Sequence, residues 1–313
     1  MNSPILFLIF NRPDTTERVF EEIRKAQPPR LYIAADGPRA NRPGEKEICE
    51  KTRAIAQKVD WDCEVKTLFQ DENFGCGKAV SQAITWFFDN EPEGIILEDD
   101  ILPHPDFFPY CDELLDRYRD NKEIGIIAGH NHIYTNLNRD SSYGFLVVPH
   151  IWGWATWRDR WALYDFNLKT TSKQRLKDAL KRHGYNASQI RFWDNIYEHM
   201  KRHEIDTWDY QWSIALIENE MLNVTPYKCM TKNIGFSDDA THTATGRPEE
   251  VAMIPSPIYP VYHPSNLSVD NEAEQIEITN ENRDLPISTY LKIKIKSLIK
   301  PVYLMIRNMP AHR

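Results

Sequence analysis

The chain has 313 residues, enough for two domains of ordinary size or for one large α/β domain. Hydrophobic residues make up 41% and charged residues 27%, which excludes collagen-like, low-complexity and wholly disordered readings. The net charge is -8, yet six of the 38 basic residues and none of the 46 acids lie beyond Asp284, so residues 1–284 carry all of the acidic excess and suit nucleic acid poorly.

In chain order, Pro4 to Asn11 reads as a strand. Its apolar run is too short to span a bilayer and lacks the flanks of a secretory signal, which points to the cytoplasm. Asp14 to Ala26 follows as a helix, Leu31 to Asp36 as a strand, Gly44 to Val59 as a polar helix, Cys63 to Gln70 as a strand and Gly77 to Asp89 as an amphipathic helix. Gly94 to Leu97 is a fourth buried strand. The five cysteines (49, 63, 76, 111 and 229) form no Cys-x-x-Cys pair and read as reduced thiols, neither a disulfide framework nor a zinc site. Apolar strands separated by helices imply an α/β fold with a mainly parallel sheet covered on both faces, and ligands then sit at the carboxyl ends of the strands.

Those ends are all polar: Asn11-Arg12-Pro13, Asp36-Gly37-Pro38-Arg39, Asn73-Phe74-Gly75 and Glu98-Asp99-Asp100. A helix is expected from Asp106, strands over Glu123 to Gly129 and Tyr143 to Pro149, and helices over Trp157 to Trp161, Lys173 to His183 and Gln189 to Glu204 in an α-rich second half. No internal repeat is visible.

Glu98, Asp99 and Asp100 place three acids where a buried strand leaves the sheet. Unpaired charge there is costly, so a cation or hydrogen-bond donors must meet it. An oxygen-only set suits Mg²⁺ or Mn²⁺, often shared with a substrate phosphate; a solvated turn with helix-capping acids is the plain alternative.

The stretch ILEDDILPHPDFFPYCDELL resembles the metal-binding strand and following helix of GT-A-type, nucleotide-sugar-dependent glycosyltransferases of the N-acetylglucosaminyltransferase I kind. IFNRP, AADG, GHNH, IWGWATW and WDYQW follow the order of that family's blocks, and residues 4 to 245 are covered. The resemblance implies a Rossmann-like GT-A domain over 1–245, with a nucleotide-binding half (1–130) and an acceptor half (131–245). Residues 246–284 then read as a polar linker or wrap and 285–313 as a basic amphipathic tail. It also implies transfer of a sugar, from a UDP-linked donor by expectation, to a hydroxyl of a glycan or lipid-linked acceptor.

By the same resemblance Asp100 binds the metal, Asp99 and Glu98 face the ribose and the donor sugar, and Arg12 and Asp36 contact the base and ribose. Lys78, at a helix start, is expected near the base or phosphates. Trp154, in the Trp152-Gly153-Trp154 loop, is expected to stack on donor or acceptor sugar, a core corner being the alternative. Asp209 reads as the general base of an inverting transferase, its pKa raised by neighbouring tryptophans, or else as a helix cap. The family's block has two adjacent aspartates and this chain has one. His242, in the Gly235 to Thr243 loop, is a further candidate metal ligand or phosphate donor, with His130 and His132 behind it.

Leu291, Ile295, Leu298, Val302, Met305 and Met309 recur at helical spacing with lysines opposite, an amphipathic helix interrupted at Pro301. It suits an anionic membrane surface, which would make the protein peripheral on the inner face, or else it docks on the acidic body. Two other functions fit the sequence less fully. One is a metal-dependent phosphohydrolase using the acid triplet. The other is a carbohydrate-binding scaffold without turnover.

Overall fold

The computed structural model describes residues 1–133, 137–235 and 252–280. Its first half alternates β1 (Ile5–Ile9), α1 (Pro13–Ala26), β2 (Arg30–Ala35), α2 (Glu45–Ala56), β3 (Glu64–Phe69), α3 (Cys76–Asn90) and β4 (Glu93–Glu98). There follow β5 (Ile101–Pro103), α4 (Phe107–Tyr118), β6 (Ile124–Ala128), β7 (Tyr143–Leu146), β8 (Trp154–Trp157) and α5 (Arg158–Trp161). The remaining elements are α6 (Lys173–Arg182), α7 (Ala187–Lys201), α8 (Asp209–Glu218), β9 (Leu222–Pro226), β10 (Thr231–Asn233) and α9 (Asn271–Asn280).

Strand β1 is apolar at every position because successive side chains enter different cores. Ile5, Phe7 and Ile9 pack with Val19, Phe20 and Ile23 of α1 and with the apolar face of α4. Leu6 and Leu8 pack on the other side with Ala83, Ile84 and Phe87 of α3 and with Trp212 and Ala215 of α8. The chain is therefore the expected α/β protein, a sheet covered by helices on both faces.

The eight strands run in the order β3-β2-β1-β4-β8-β6-β9-β7, with β5 and β10 in a separate antiparallel pair. The pairings β1–β2, β1–β4, β2–β3 and β6–β9 are parallel. Those made by β8 and β7 are antiparallel. Parallel β3, β2, β1 and β4 all point their carboxyl ends to one edge of the sheet, the edge that carries the site.

Two expectations change. The helix expected from Trp157 to Trp161 is present over Arg158–Trp161, but Trp157 ends an unexpected strand, β8, which lies between β4 and β6 and joins the two halves of the sheet. All four residues of β8 are buried, so the strand shows no polar alternation by which to recognise it. The second half is accordingly less purely helical than expected. Within the stretch read as a polar linker or wrap, Asn271–Asn280 forms α9, whose Ala273 and Ile278 are buried and whose Glu274 and Glu277 are buried too. The basic tail and the Gly235 to Thr243 loop from Phe236 onwards, His242 included, lie outside the described residues. Among the described residues no helix is long and apolar enough to cross a membrane.

Arg160 shows how tightly β8 and α5 are tied in. It is 1% exposed, its guanidinium lies 4.1 Å over the Trp157 ring, and it donates to the carbonyls of Tyr118, Arg119, Asn121 and Ile124. Those carbonyls close the end of α4 and the turn into β6, where a cation also meets the negative end of the helix. Arg160→Ala leaves them buried without a donor and is expected to cost about 3 kcal/mol or more. Urea unfolding measures this; a loss below about 1 kcal/mol would mean that water replaces the guanidinium.

Candidate active site

The carboxyl ends of β1 to β4 and the start of α8 converge on a cavity of about 320 Å³. Arg12, Asp36, Glu98, Asp99, Asp100 and Asp209 all border it, so six residues singled out from the sequence line one cavity. Ala34, Leu68, Ala79, Val80 and Ala83 give the same cavity an apolar lining of mostly small residues, the recess beside the acids.

Charge is concentrated at the end of β4. Asp99 accepts the Phe10 backbone N–H at 3.0 Å, and its carboxylate lies 3.9 Å from the Arg12 guanidinium. Asp100 pairs directly with Arg12. Burial first, then the fields of Asp100, Asp99 and Asp209, push the Glu98 carboxyl well above the usual range, and Arg12 only partly offsets them. Burial and Asp100 push Asp99 up to about 7 against the opposing pull of Arg12 and the Phe10 N–H. Three carboxylates thus act on the Arg12 guanidinium, and Asp209 adds its field at Glu98. Arg12, expected on the base, has its guanidinium among the acids.

Asp36 organises the neighbouring loops. It accepts backbone N–H bonds from Gly37, Phe74 and Gly75 and a side-chain bond from Asn73, so one carboxylate ties the end of β2 to the loop that enters α3. Burial nevertheless leaves its pKa raised. Asp206, which the sequence reading did not single out, accepts the N–H groups of Cys76 and Gly77 from across the cavity and so caps α3. Arg39 is a second omission: it borders the cavity, is held by Glu45 and packs against the Phe10 ring at 5.5 Å. Both lie in polar runs whose pairing is long-range or loop-built, and only their position at strand or helix ends hinted at them.

Asp209 is the first residue of α8, with Trp208 preceding it as the cap position. Its Oδ1 accepts the Thr207 hydroxyl at 2.6 Å and the Tyr210 N–H at 2.8 Å, so the carboxylate is held toward the cavity while also serving the helix start.

The tryptophan loop is corrected. Trp154 is fully buried and stacks on Trp208 with ring centroids 5.8 Å apart, within a cluster that includes Trp161 and Trp212. Strand alternation turns it into the core behind the cavity, which Trp152 and Trp208 border instead. Gly153 between Trp152 and Trp154 has φ +75°, and a Cβ there would come within 2.7 Å of Thr231. Lys78 is exposed, lies 4.6 Å over the Phe74 ring and stays off the cavity wall.

No family model matches the chain, and no curated protein sequence matches it. Among solved structures it is similar to HddC from Yersinia pseudotuberculosis, with 11% identity and a TM-score of 0.31 over 50% of this chain and 77% of that one. A UDP-glucose pyrophosphorylase complexed with UDP-glucose aligns at 13% identity and a TM-score of 0.26, over 41% of this chain and 56% of that one. The glycosyltransferase GlyE of Streptococcus pneumoniae TIGR4 aligns at 11% identity and a TM-score of 0.34, over 71% of this chain and 46% of that one. Likenesses this weak assign no role to any residue of the cavity.

The raised carboxyls give a pH signature. A carboxyl with a raised pKa holds its proton more tightly folded than unfolded, so its contribution to stability is full below the unfolded value of 3.8 and is lost as pH rises to about 7. In chelator, Asp99→Asn should melt higher than the unaltered chain at neutral pH and vary less with pH across that window. Thermal melts at stepped pH measure this, and parallel curves for the two proteins would show that Asp99 is not strained by its neighbours.

Proposed function

We propose that the protein is a metal-dependent glycosyltransferase that moves a sugar from a nucleotide diphosphate sugar, UDP-linked by expectation, to a hydroxyl of a glycan or lipid-linked acceptor, with inversion. The observation that carries this reading is the cavity lined by Glu98, Asp99, Asp100, Asp209 and Arg12 together with apolar residues, at the carboxyl ends of parallel strands.

The residues fit a hard cation. Their donors are all carboxylate oxygens, and their negative charge exceeds what Arg12 neutralises. Asp100 would hold Mn²⁺ or Mg²⁺, with Asp99 and Glu98 beside it. Such an ion, when bound, neutralises the charge that grows on the departing diphosphate. Arg12 is placed to exchange Asp100 for a phosphate oxygen. The recess of Ala34, Ala79 and Ala83 takes the base, and Asp36, through Asn73 and Gly75, keeps the recess in shape. Trp152, not Trp154, offers the ring for a sugar face. Asp209, held through Oδ1, takes the proton of the attacking hydroxyl. His242, as a further ligand, and Lys78, through the phosphates, remain parts of the proposal that rest on sequence alone. So does the tail 285–313 as a basic anchor to an anionic membrane surface.

Asp100→Ala should abolish turnover and metal-enhanced nucleotide binding with the fold intact. The assay is release of nucleoside diphosphate from a panel of nucleotide sugars with Mn²⁺. Full activity in that variant, or in excess chelator, would refute the reading, and release of free sugar phosphate instead would mark a phosphohydrolase.

Asp209→Asn should lower kcat by about 10²-fold or more with donor affinity little changed. A kcat within a few fold of the unaltered enzyme would leave Asp209 as a helix residue only. Removing residues 285–313 should release the protein from anionic liposomes and spare donor hydrolysis in solution. Co-sedimentation with vesicles at low and high salt measures it, and equal sedimentation of both forms would refute the anchor.

A further inference from the structure

A second group of ligand-type side chains lies apart from the acid triplet. His132 follows β6, His150 lies between β7 and β8, and Glu277 is on α9. The two histidines are 18 residues apart, and Glu277 comes from far along the chain. One ligand atom from each falls within 4.8 Å of the others. Glu277 Oε2 is 3.1 Å from His150 Nε2 and 3.7 Å from His132 Nδ1. Two ligands of a tetrahedral zinc ion, each about 2.0 Å from it, stand about 3.3 Å apart, so the observed spacing already approximates a coordination shell.

Burial makes the group more than a chance meeting of polar residues. The side chains of His132, His150 and Glu277 are 12%, 3% and 0% exposed. The buried Glu277 carboxylate meets both imidazoles and the His132 backbone N–H. That N–H approaches the two carboxylate oxygens at 2.8 and 3.0 Å and fixes their direction. A buried carboxylate needs a cation beside it, and either a protonated histidine or a metal ion held by the imidazole nitrogens can supply one.

The helix that carries Glu277 is short of apolar anchorage. Of its ten residues, Ala273 and Ile278 are the fully buried hydrophobic ones, while Glu274 is spent on the Val147 N–H and the Tyr185 hydroxyl. An ion shared with β6 and the β7–β8 loop would anchor it, because binding energy at a structural metal is folding energy. His130 completes the surroundings: its Nδ1 lies 3.1 Å from the Thr231 carbonyl, and its ring is 5.0 Å from that of His132. Trp152, which borders the main cavity, packs its ring against His130 at 4.7 Å and His132 at 5.5 Å.

We propose that His132, His150 and Glu277 bind a divalent transition-metal ion, Zn²⁺ foremost, that pins α9 to the sheet behind Trp152. Imidazole ligands select such an ion over Mg²⁺ or Ca²⁺, which separates this site from the all-carboxylate one.

The test uses the full-length chain without a histidine tag, loaded with Zn²⁺ or Co²⁺ and dialysed against metal-free buffer. Elemental analysis should find a stoichiometric ion that is retained in Asp100→Asn and lost in Glu277→Gln and His150→Gln. The Co²⁺ form should show the visible bands of a four-coordinate site, and X-ray absorption should count two imidazoles. Zn²⁺ should raise the melting temperature of the unaltered chain and of Asp100→Asn but not of Glu277→Gln. If the glycosyltransferase reading fails, Asp100→Asn loses nothing in catalysis while these results still hold. Should the Glu277 variants not fold, the Co²⁺ spectrum and ligand count of the unaltered chain decide alone. Substoichiometric metal in the folded chain, a spectrum of oxygen ligands only, or full retention in Glu277→Gln would overturn the site and leave a protonated histidine as the partner of Glu277.

Discussion

The end of β4 sets the terms for the rest of the molecule. Four apolar residues, Gly94 to Leu97, are enclosed between two cores, and the three residues that follow are all acids. Charge cannot stay in the layer those cores enclose, so the chain must open a polar cavity there. The other strand ends are fitted to that cavity: Arg12 from β1 faces the acids, and Asp36 from β2 ties down the loop after β3. Even so, one guanidinium does not balance four carboxylates. The imbalance that raises Glu98 and Asp99 is the same property that suits the cavity to a divalent ion and an anionic substrate.

The opposite wall is rigid for a different reason. Trp154, Trp161, Trp208 and Trp212 pack into one aromatic block between β8 and α8. Aromatic rings bury much surface with few rotatable bonds, so such a block holds position well. Asp209 follows Trp208 directly and inherits that position, while Asp206 reaches back to cap α3. The carboxylate proposed to take a proton is therefore seated on core packing, although it lies at the start of a helix.

Polar anchorage recurs at α9. Arg139 and Tyr227 pair with Asp270 ahead of the helix, Glu274 takes the Val147 N–H, and Glu277 meets His132 and His150. Burial of this kind is stable only where every charge is met.

Local periodicity settled much of this protein before any tertiary contact was known. The alternation of buried strands and amphipathic helices from Ile5 to Glu98 follows from short-range patterns, and the acids and arginine at strand ends were visible because an apolar run makes the next polar residue conspicuous. Those same residues, Arg12, Asp36, Glu98, Asp99, Asp100 and Asp209, are the ones the fold gathers into one cavity. Other features had no local signature. Strand β8 is buried at every position, so its place between β4 and β6 depends on partners far along the chain. A tryptophan reads alike in a core and at a binding surface, and only the pleat of β8 turned Trp154 inward and left Trp152 at the cavity. His132, His150 and Glu277 are spread over 146 residues of chain, Asp206 lies about 130 residues from the helix it caps, and meetings at such separations are products of the packed sheet alone.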